Sequence, residues 1–506
     1  MQDVEDLGSS NDGECVLIPK TCGDLVHFSG KDEIKAVQRQ ILKWYDANRR
    51  DLPWRGKDIP PYYTWVSEIM AQQTKIATVI EYFERWVVKF PTVAALASAT
   101  ADEVNLMWSG LGYYRRARYL HQGAKFVMEH HGGQLPGTVP ELKAIPGIGD
   151  YTAGAIASIA FGKRAPLVDG NVVRVMSRLR ALGGNAKSKD VHKLCWSLAS
   201  GLVKETDRPG DFNQSLMELG ATVCKPKDPC CGSCPIKSSC RAFNEVWRND
   251  ASAKRPDDGA PSVVIDCTQT EAERLDALKP ATSVTKYPFK FVKAPPKEEV
   301  WLVSLVVCNG KYLLVKRPDG GLLAGQWEFP SIQWSPPADV AGTREPTIVE
   351  RRAAIDEFLL ENFDLRARPS SARARTRKSE VAGASAATER LDLGTKVHVF
   401  SHRKHFMFVE KIILPKAETL PEWRPSPSMR ESCWASVDDF KTGHGGTGSI
   451  SLTTGMRKVL ALGLSPGGGG GSSKKSKGGK DRKRKQKHTG GVDEKSRKIS
   501  AYFAKT

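Results

Sequence analysis

Residues 142–174 read LKAIPGIGDYTAGAIASIAFGKRAPLVDGNVVR. Apolar Leu142 and Ile145 lead into a tight turn, Pro146-Gly147-Ile148-Gly149. The pattern predicts a helix from Tyr151 to Phe161, a break at Gly162, and an apolar step from Ala165 to Val168 that ends at Asp169. Gly147 and Gly149 let the backbone turn sharply and approach another molecule closely. A helix begins there, so N–H groups without intrahelical partners face outward and the dipole favours an anion. A nucleic-acid phosphate suits that turn, and the carboxylate of Asp169 suits chemistry beside it. Taken alone, the stretch also fits an ordinary helix–turn–helix with a Gly-rich turn.

The rest of the chain decides between these readings. It has 506 residues, enough for about two to four domains. Its formal net charge of +19 favours a polyanionic partner, although charge alone does not require nucleic acid. No apolar run approaches the roughly 18 residues of a membrane span, so no membrane association is expected. The acidic opening, MQDVEDLGSSNDGE, resembles neither a secretory signal nor an Arg-rich transit peptide. Five of the eleven cysteines fall between Cys224 and Cys240. Such clustering points to a metal centre rather than a disulfide framework.

Residues 1–30 read as disordered. Residues 31–245 read as an all-α region, with helical periods at Lys31–Arg50, one or two helices in Thr64–Phe90, and further helices at Ala101–Trp108, Arg115–His130, Asn171–Leu182, Lys189–Val203 and Asp211–Cys224. Residues 246–296 are polar and Pro-containing, a linker open to repair partners. Residues 297–464 turn to an α+β pattern. Strands are expected at Val300–Cys308, Lys311–Lys316, Lys396–Phe400 and His405–Leu414, with helices at Ile348–Phe363 and Ser451–Leu462. Arg366–Arg390 reads as a flexible insertion. Residues 465–506 form a basic tail that includes KKSKGGKDRKRKQKH.

Cys224-x6-Cys231-x2-Cys234-x5-Cys240 places four thiols in one short loop. Zinc more often uses two CxxC pairs across a longer spacer, and this loop has one, so zinc stays open as the alternative to a larger centre. The spacing resembles the [4Fe–4S] loop of the endonuclease III/MutY superfamily of DNA glycosylases, with Cys230 a bystander. Within that superfamily the chain resembles MutY-type adenine DNA glycosylases over about residues 31–464. The resemblance rests on Leu52-Pro53-Trp54-Arg55, the run from Trp65 to Thr74 (WVSEIMAQQT), Gly110-Leu111-Gly112-Tyr113-Tyr114, the Pro146–Gly149 turn with Tyr151-Thr152-Ala153-Gly154, Val168-Asp169-Gly170-Asn171-Val172, the four cysteines, and Phe400-Ser401-His402.

The resemblance implies a helix–hairpin–helix catalytic domain (hairpin 142–161, cluster loop 224–240) followed by a Nudix-like domain at 297–464. It implies removal of adenine mispaired with 8-oxo-guanine or guanine, acting as a monomer on double-stranded DNA. A stacked base is unreachable, so adenine must be flipped out at a cost of roughly a few kcal/mol. Adenine leaves readily only when a ring nitrogen is protonated, which requires a carboxylic acid kept neutral near pH 7. The sugar passes through an oxocarbenium-like state that a carboxylate stabilises.

Glu68, on an apolar helix among Trp65, Val66, Ile69 and Met70, is the expected acid; a surface helix glutamate is the bland alternative. Asp169 is the expected stabiliser or transient nucleophile, and also a natural helix N-cap. Asn171 and Tyr151 would orient these groups. Bifunctional relatives carry Lys at the position of Tyr151, so a monofunctional glycosylase is expected. Gln73 and Tyr113 would enter the base stack. Pro146, Gly147, Ile148, Gly149 and Arg174 would contact the DNA backbone. Phe400, Ser401 and His402 would read 8-oxo-guanine. The segment Glu350–Glu357 lacks the spacing of a diphosphate-hydrolysing Nudix helix, so no such hydrolysis is expected. In the tail, Lys474–His488 reads as a nuclear localisation signal. Ile499, Tyr502 and Phe503 resemble a sliding-clamp (PCNA) interaction box, with Ser496 in place of the usual Gln. The competing functions are a non-catalytic iron–sulfur DNA-binding scaffold and a glycosylase/lyase for oxidised pyrimidines.

Overall fold

A computed structural model describes residues 28, 30–56, 58–250, 282–289, 295–318, 320–336, 344–363, 388–400, 402–417, 420, 431–440 and 450–465. Most of the expected disordered N-terminus, much of the linker, nearly all of the 366–390 insertion, Ser401 and the tail from 466 lie outside these residues. The chain divides into two compact units, residues 1–99 with 118–293, and residues 100–117 with 294–506. The segment 100–117 therefore groups with the C-terminal unit although it falls inside the 31–245 span.

The first unit is helical: α1 (Lys31–Asn48), α2 (Pro61–Ala71), α3 (Ile76–Lys89) and α4 (Val93–Ala97), then, after α5 (Ala101–Trp108), α6 (Arg115–His131), α7 (Val139–Ala144), α8 (Asp150–Ile159), α9 (Gly170–Leu179), α10 (Lys189–Val203), α11 (Pro209–Thr222) and α12 (Arg241–Asp250). The expected periodic helices are present, with ends shifted by a few residues. α4 and α7 were not expected, because one or two turns show no period. Val37 and Ile41 of α1 pack with Val172 and Met176 of α9, Leu198 and Leu202 of α10, and Phe212 and Leu216 of α11. Each such side chain contributes roughly 1.5–3 kcal/mol on burial, so packing rather than propensity holds these helices.

α8 is built from small residues for a reason. A Cβ on Gly154 would sit 2.0 Å from the Pro166 carbonyl oxygen. The helix thus lies directly on the apolar 165–168 step, which delivers Asp169 to the start of α9. Within the expected linker, residues 246–250 complete α12 and 282–289 pack on this unit, with Tyr287 fully buried and its carbonyl accepting from Arg178 Nε at 3.0 Å.

Among the described residues of the second unit, the strands are β1 (Lys297–Cys308), β2 (Lys311–Lys316), β3 (Trp327–Glu328), β4 (Ser331–Trp334), β5 (Glu389–Val399), β6 (Arg403–Ile413) and β7 (Ser432–Ala435). They form a seven-stranded sheet that runs β3-β2-β1-β6-β5, with β4 also on β1 and β7 on β2. β1 and β6 pair in parallel from Lys297↔Arg403 to Val307↔Ile413, and β5 and β6 form an antiparallel hairpin. Alternation along β1 serves two cores. Val303 and Leu305 meet α14 (Thr454–Leu464), while Leu302 and Val306 meet α13 (Ile348–Phe363). Burial on both faces explains the continuous apolar run of this strand. Glu389 and Arg390, expected in the flexible insertion, belong to β5 instead. Arg390 bonds Asp356 at 2.6 Å and Glu410 at 2.5 Å, which ties the strand to α13 and β6.

Candidate functional site

Pro61 at the first turn starts α2 without an N–H to satisfy, and the helix then buries every residue from Thr64 to Met70. Glu68 goes inside with them, 8% exposed. A lone carboxylate there would be costly, and the group responds by holding its proton. Burial pushes Glu68 up to about 7; the neighbouring Asp169 charge adds to this, whereas the Tyr151 hydrogen bond and the Arg55 charge oppose it. Tyr151, in the first turn of α8, donates its hydroxyl to Glu68 Oε2 and also lies against Met217 Sδ at 3.3 Å. Both hairpin and acid therefore meet at one phenol.

Asp169 is the N-cap of α9. Its Oδ1 accepts from the Val172 N–H at 2.7 Å and its Oδ2 from Asn171 Nδ2 at 2.8 Å. Burial pushes this carboxyl up as well, but the Val172 N–H, the Asn171 amide and the Arg174 charge all favour its anion. The two carboxyls thus differ in kind. Glu68 faces an apolar helix and one hydroxyl; Asp169 faces convergent N–H donors. Pairs whose surroundings separate proton donor from anion mark acid and stabiliser.

Arg174, expected at a DNA phosphate, makes bonds within the fold. Nε donates to the Cys224 carbonyl at 2.8 Å, and Nη2 donates to Asn171 Oδ1 at 2.8 Å and to the Gly220 carbonyl at 2.7 Å. Position three residues after Asn171 on the same helix face turns it inward, where it braces the amide that holds Asp169 and fastens the start of the cysteine loop.

The Pro146–Gly149 turn joins α8 to α7, where the sequence shows only an apolar lead-in. Gly147 has φ 85° and lies so near Tyr119 that a Cβ would approach that side chain to 2.5 Å. Gly149 is the N-cap, exposed, with no side-chain cap and nothing within 4 Å of a Cβ position. Ile148 is buried and anchors the turn. The combination leaves an accessible helix N-terminus suited to a phosphate oxygen.

Gln73 and Tyr113 are both exposed, and both have left-handed backbones, φ 55° and φ 50°. Such strain in non-glycine residues persists only where surroundings enforce it, and it gathers at functional positions. Sequence inspection does not reveal this feature. Arg55 and Glu218, given no site role in the sequence expectations, also support the site. Glu218 is fully buried and pairs with Arg50 at 2.5 Å and Arg55 at 2.9 Å, and Arg55 in turn acts on Glu68. Arg55 lies in the LPWR motif, but Glu218 has no local signal.

Cys224, Cys231, Cys234 and Cys240 line one cavity together with Arg178, which donates to Cys224 Sγ at 3.4 Å. Among the described residues no three His, Cys, Asp or Glu side chains are grouped tightly enough for a single ion. Four thiols around one cavity are a donor set suited to a metal centre. Burial pushes Cys234 up to about 11 and Cys240 up to about 12, so these groups become thiolates only with a cationic centre between them. Cys230 is exposed.

In the second unit, Phe400 follows the end of β5 and His402 precedes the start of β6. The Phe400 N–H donates to the Arg403 carbonyl at 2.7 Å, and the His402 carbonyl accepts from Lys297 N–H at 3.0 Å. The Phe400 ring packs edge-on against His398 and His405, with centroids 4.5 and 4.7 Å away. Glu350 of α13 is engaged by Arg344 Nη1 at 2.7 Å and by the Thr347 hydroxyl at 2.7 Å.

Residues 66–200 match the HhH-GPD superfamily of base excision DNA repair proteins, and residues 302–461 match the NUDIX domain. The adenine DNA glycosylase of Homo sapiens is 38% identical, over 91% of this chain and 80% of the human protein. That of Mus musculus is 39% identical, over 86% and 79%. That of Arabidopsis thaliana is 38% identical, over 86% and 66%.

Proposed function

The chain belongs to the adenine DNA glycosylase family, hydrolases that remove adenine in base excision repair, and on that premise we propose that its substrate is adenine paired with 8-oxo-guanine or guanine. Glu68 protonates a ring nitrogen of the flipped adenine. The N-glycosidic bond then breaks, and Asp169 stabilises the sugar cation or bonds to it until water resolves the intermediate. Asn171, held by Arg174, and Tyr151 keep the two carboxyls in place. Pro146–Gly149 hold a backbone phosphate. Gln73 and Tyr113 enter the stack, and Phe400, Ser401 and His402 read the oxidised base.

The observation that carries this reading is the contrast between Glu68, proton-holding and buried, and Asp169, surrounded by N–H donors. With Tyr151 where lyases carry Lys, no Schiff base forms, and borohydride should trap no adduct. The test is single-turnover excision from duplexes with adenine opposite 8-oxo-guanine, guanine and thymine. Fast, intermediate and negligible rates are expected in that order; equal rates on all three would remove the proposed specificity.

Cys224, Cys231, Cys234 and Cys240 would hold a [4Fe–4S] cluster, which when bound would tie residues 224–240 into one rigid unit. Equal iron and acid-labile sulfide with no zinc is the expected analysis. The tail carries the remaining proposals on sequence alone: nuclear import through Lys474–His488, and clamp binding through Ile499, Tyr502 and Phe503. Loss of clamp pull-down in a Tyr502→Ala, Phe503→Ala double variant is the required result.

A further inference from the structure

Tyr113 is 49% exposed, and its turn is unusual: Gly110, Gly112 and Tyr113 have φ 99°, 79° and 50°. Local bonds fix its shape. Trp108 Nε1 and Arg116 Nη2 each donate to the Gly112 carbonyl at 3.0 Å, and the Arg116 guanidinium lies 5.5 Å from the Tyr113 ring centre. Ser109, the C-cap of α5, precedes the turn and is buried. Its hydroxyl accepts from Ser451 Oγ at 2.6 Å and from Arg457 Nη2 at 2.7 Å, both at the α14 end of the Nudix-like unit. Lys316 Nζ adds a second tie to Asp102 of α5 at 3.3 Å.

The same helix reaches the hairpin. At Gly455 a Cβ would already touch the His398 ring at 3.4 Å, and Lys458 Nζ lies 3.5 Å from His398 Nδ1. His398 supports the Phe400 ring. One helix thus grips the base of Tyr113's turn with Arg457, and meets His398 at the base of the hairpin with Gly455 and Lys458, two residues before Arg457 and one after it.

We propose that α14 registers Tyr113 against Phe400 at the end of β5, and that Arg457 is a positioning residue for recognition of the base opposite adenine. Stack entry and lesion reading then act as one rigid event: only a partner base that satisfies the hairpin leaves Tyr113 in register with the gap it fills. A charged hydrogen bond to a buried hydroxyl is strong enough to hold such a register and is not replaced by water when removed. This rests on the reading of Tyr113 as a stack-entering residue.

The test uses the full chain as wild type, Arg457→Met, Tyr113→Ala and the double variant. Excision is compared opposite 8-oxo-guanine and guanine, and a 2-aminopurine beside 8-oxo-guanine reports unstacking. Arg457→Met should lose about tenfold of the preference for 8-oxo-guanine. It should also lose the fluorescence rise and add nothing further to Tyr113→Ala. Retained preference and fluorescence, or losses that multiply in the double variant, would overturn the proposal. If Arg457→Met melts early, Ser451→Ala is read by the same two assays against the same outcomes. A Tyr113→Ala protein that keeps both preference and fluorescence rise would instead overturn the reading of Tyr113 itself.

Discussion

Replacing Glu68 with Gln isolates the buried acid, because Gln keeps its shape and can still accept from the Tyr151 hydroxyl. The folded state moves the Glu68 midpoint from an ordinary 4.5 up to about 7. The folded protein therefore binds this proton more tightly than the unfolded chain does. Its contribution is complete below about pH 4.5, is lost as pH rises toward about 7, and stays lost above that. The full swing is about 3 kcal/mol. Since Gln does not titrate, the variant should gain about that much on the wild type between acid and neutral pH, with no further change at higher pH. Urea unfolding of both proteins across this range measures the difference directly. Excision should behave in the complementary way. The wild-type single-turnover rate should fall as pH rises past about 7, whereas the variant should be slower by about 10²–10⁴ and insensitive to pH there. Unfolding curves that stay parallel at every pH, or a variant with the wild-type rate, would refute Glu68 as a buried proton donor.

Tyr151→Phe removes a hydrogen bond that favours the Glu68 anion, so the alkaline limb of the pH–rate profile should move to higher pH; an unmoved limb counts against the contact. Asp169→Asn should leave the melting temperature within a few degrees, since Asn caps as well as Asp does, yet abolish measurable excision; a melting loss equal to a deleted cap would make Asp169 merely structural. Arg174→Lys cannot reproduce the forked contacts to Asn171, Gly220 and Cys224. It should slow excision and destabilise the first unit by about 1–3 kcal/mol, without changing the salt dependence of DNA binding as loss of a phosphate contact would. Gly154→Ala drives a methyl into the Pro166 carbonyl and should destabilise by roughly 1–3 kcal/mol or more; a neutral melting temperature would mean that α8 shifts freely.

Much of this protein is legible in one dimension because its signals are local. The periods of α1, α10 and α13, the alternation along β1, the PGIG turn and the apolar neighbours of Glu68 all arise from residues within one or two turns of each other. Burial of Glu68 follows from that neighbourhood, since a helix apolar on every side goes inside whole. Short pieces such as α4, α7, β3 and β7 escape because they carry too few residues to show a period. Arg174 has a structural role that the sequence does not show. A lone Arg beside a catalytic Asp in a basic chain reads as a phosphate contact, and only the packing of α9 against α11 and Cys224 turns it inward.

The motif-bearing residues come from stretches far apart in sequence: α2 supplies Glu68, the hairpin supplies Tyr151, and α9 supplies Asp169. Residue types and local shape decide what each can do, and those are present in the chain as written. Which groups meet, and hence which carboxyl keeps its proton, depends on desolvation and on donors such as Val172 N–H, Asn171 and Arg55 that arrive through long-range packing. The same holds for Ser109 and Arg457, 348 positions apart. Neither has a motif, and their contact exists only because the α5 turn and α14 close on one another in the folded unit.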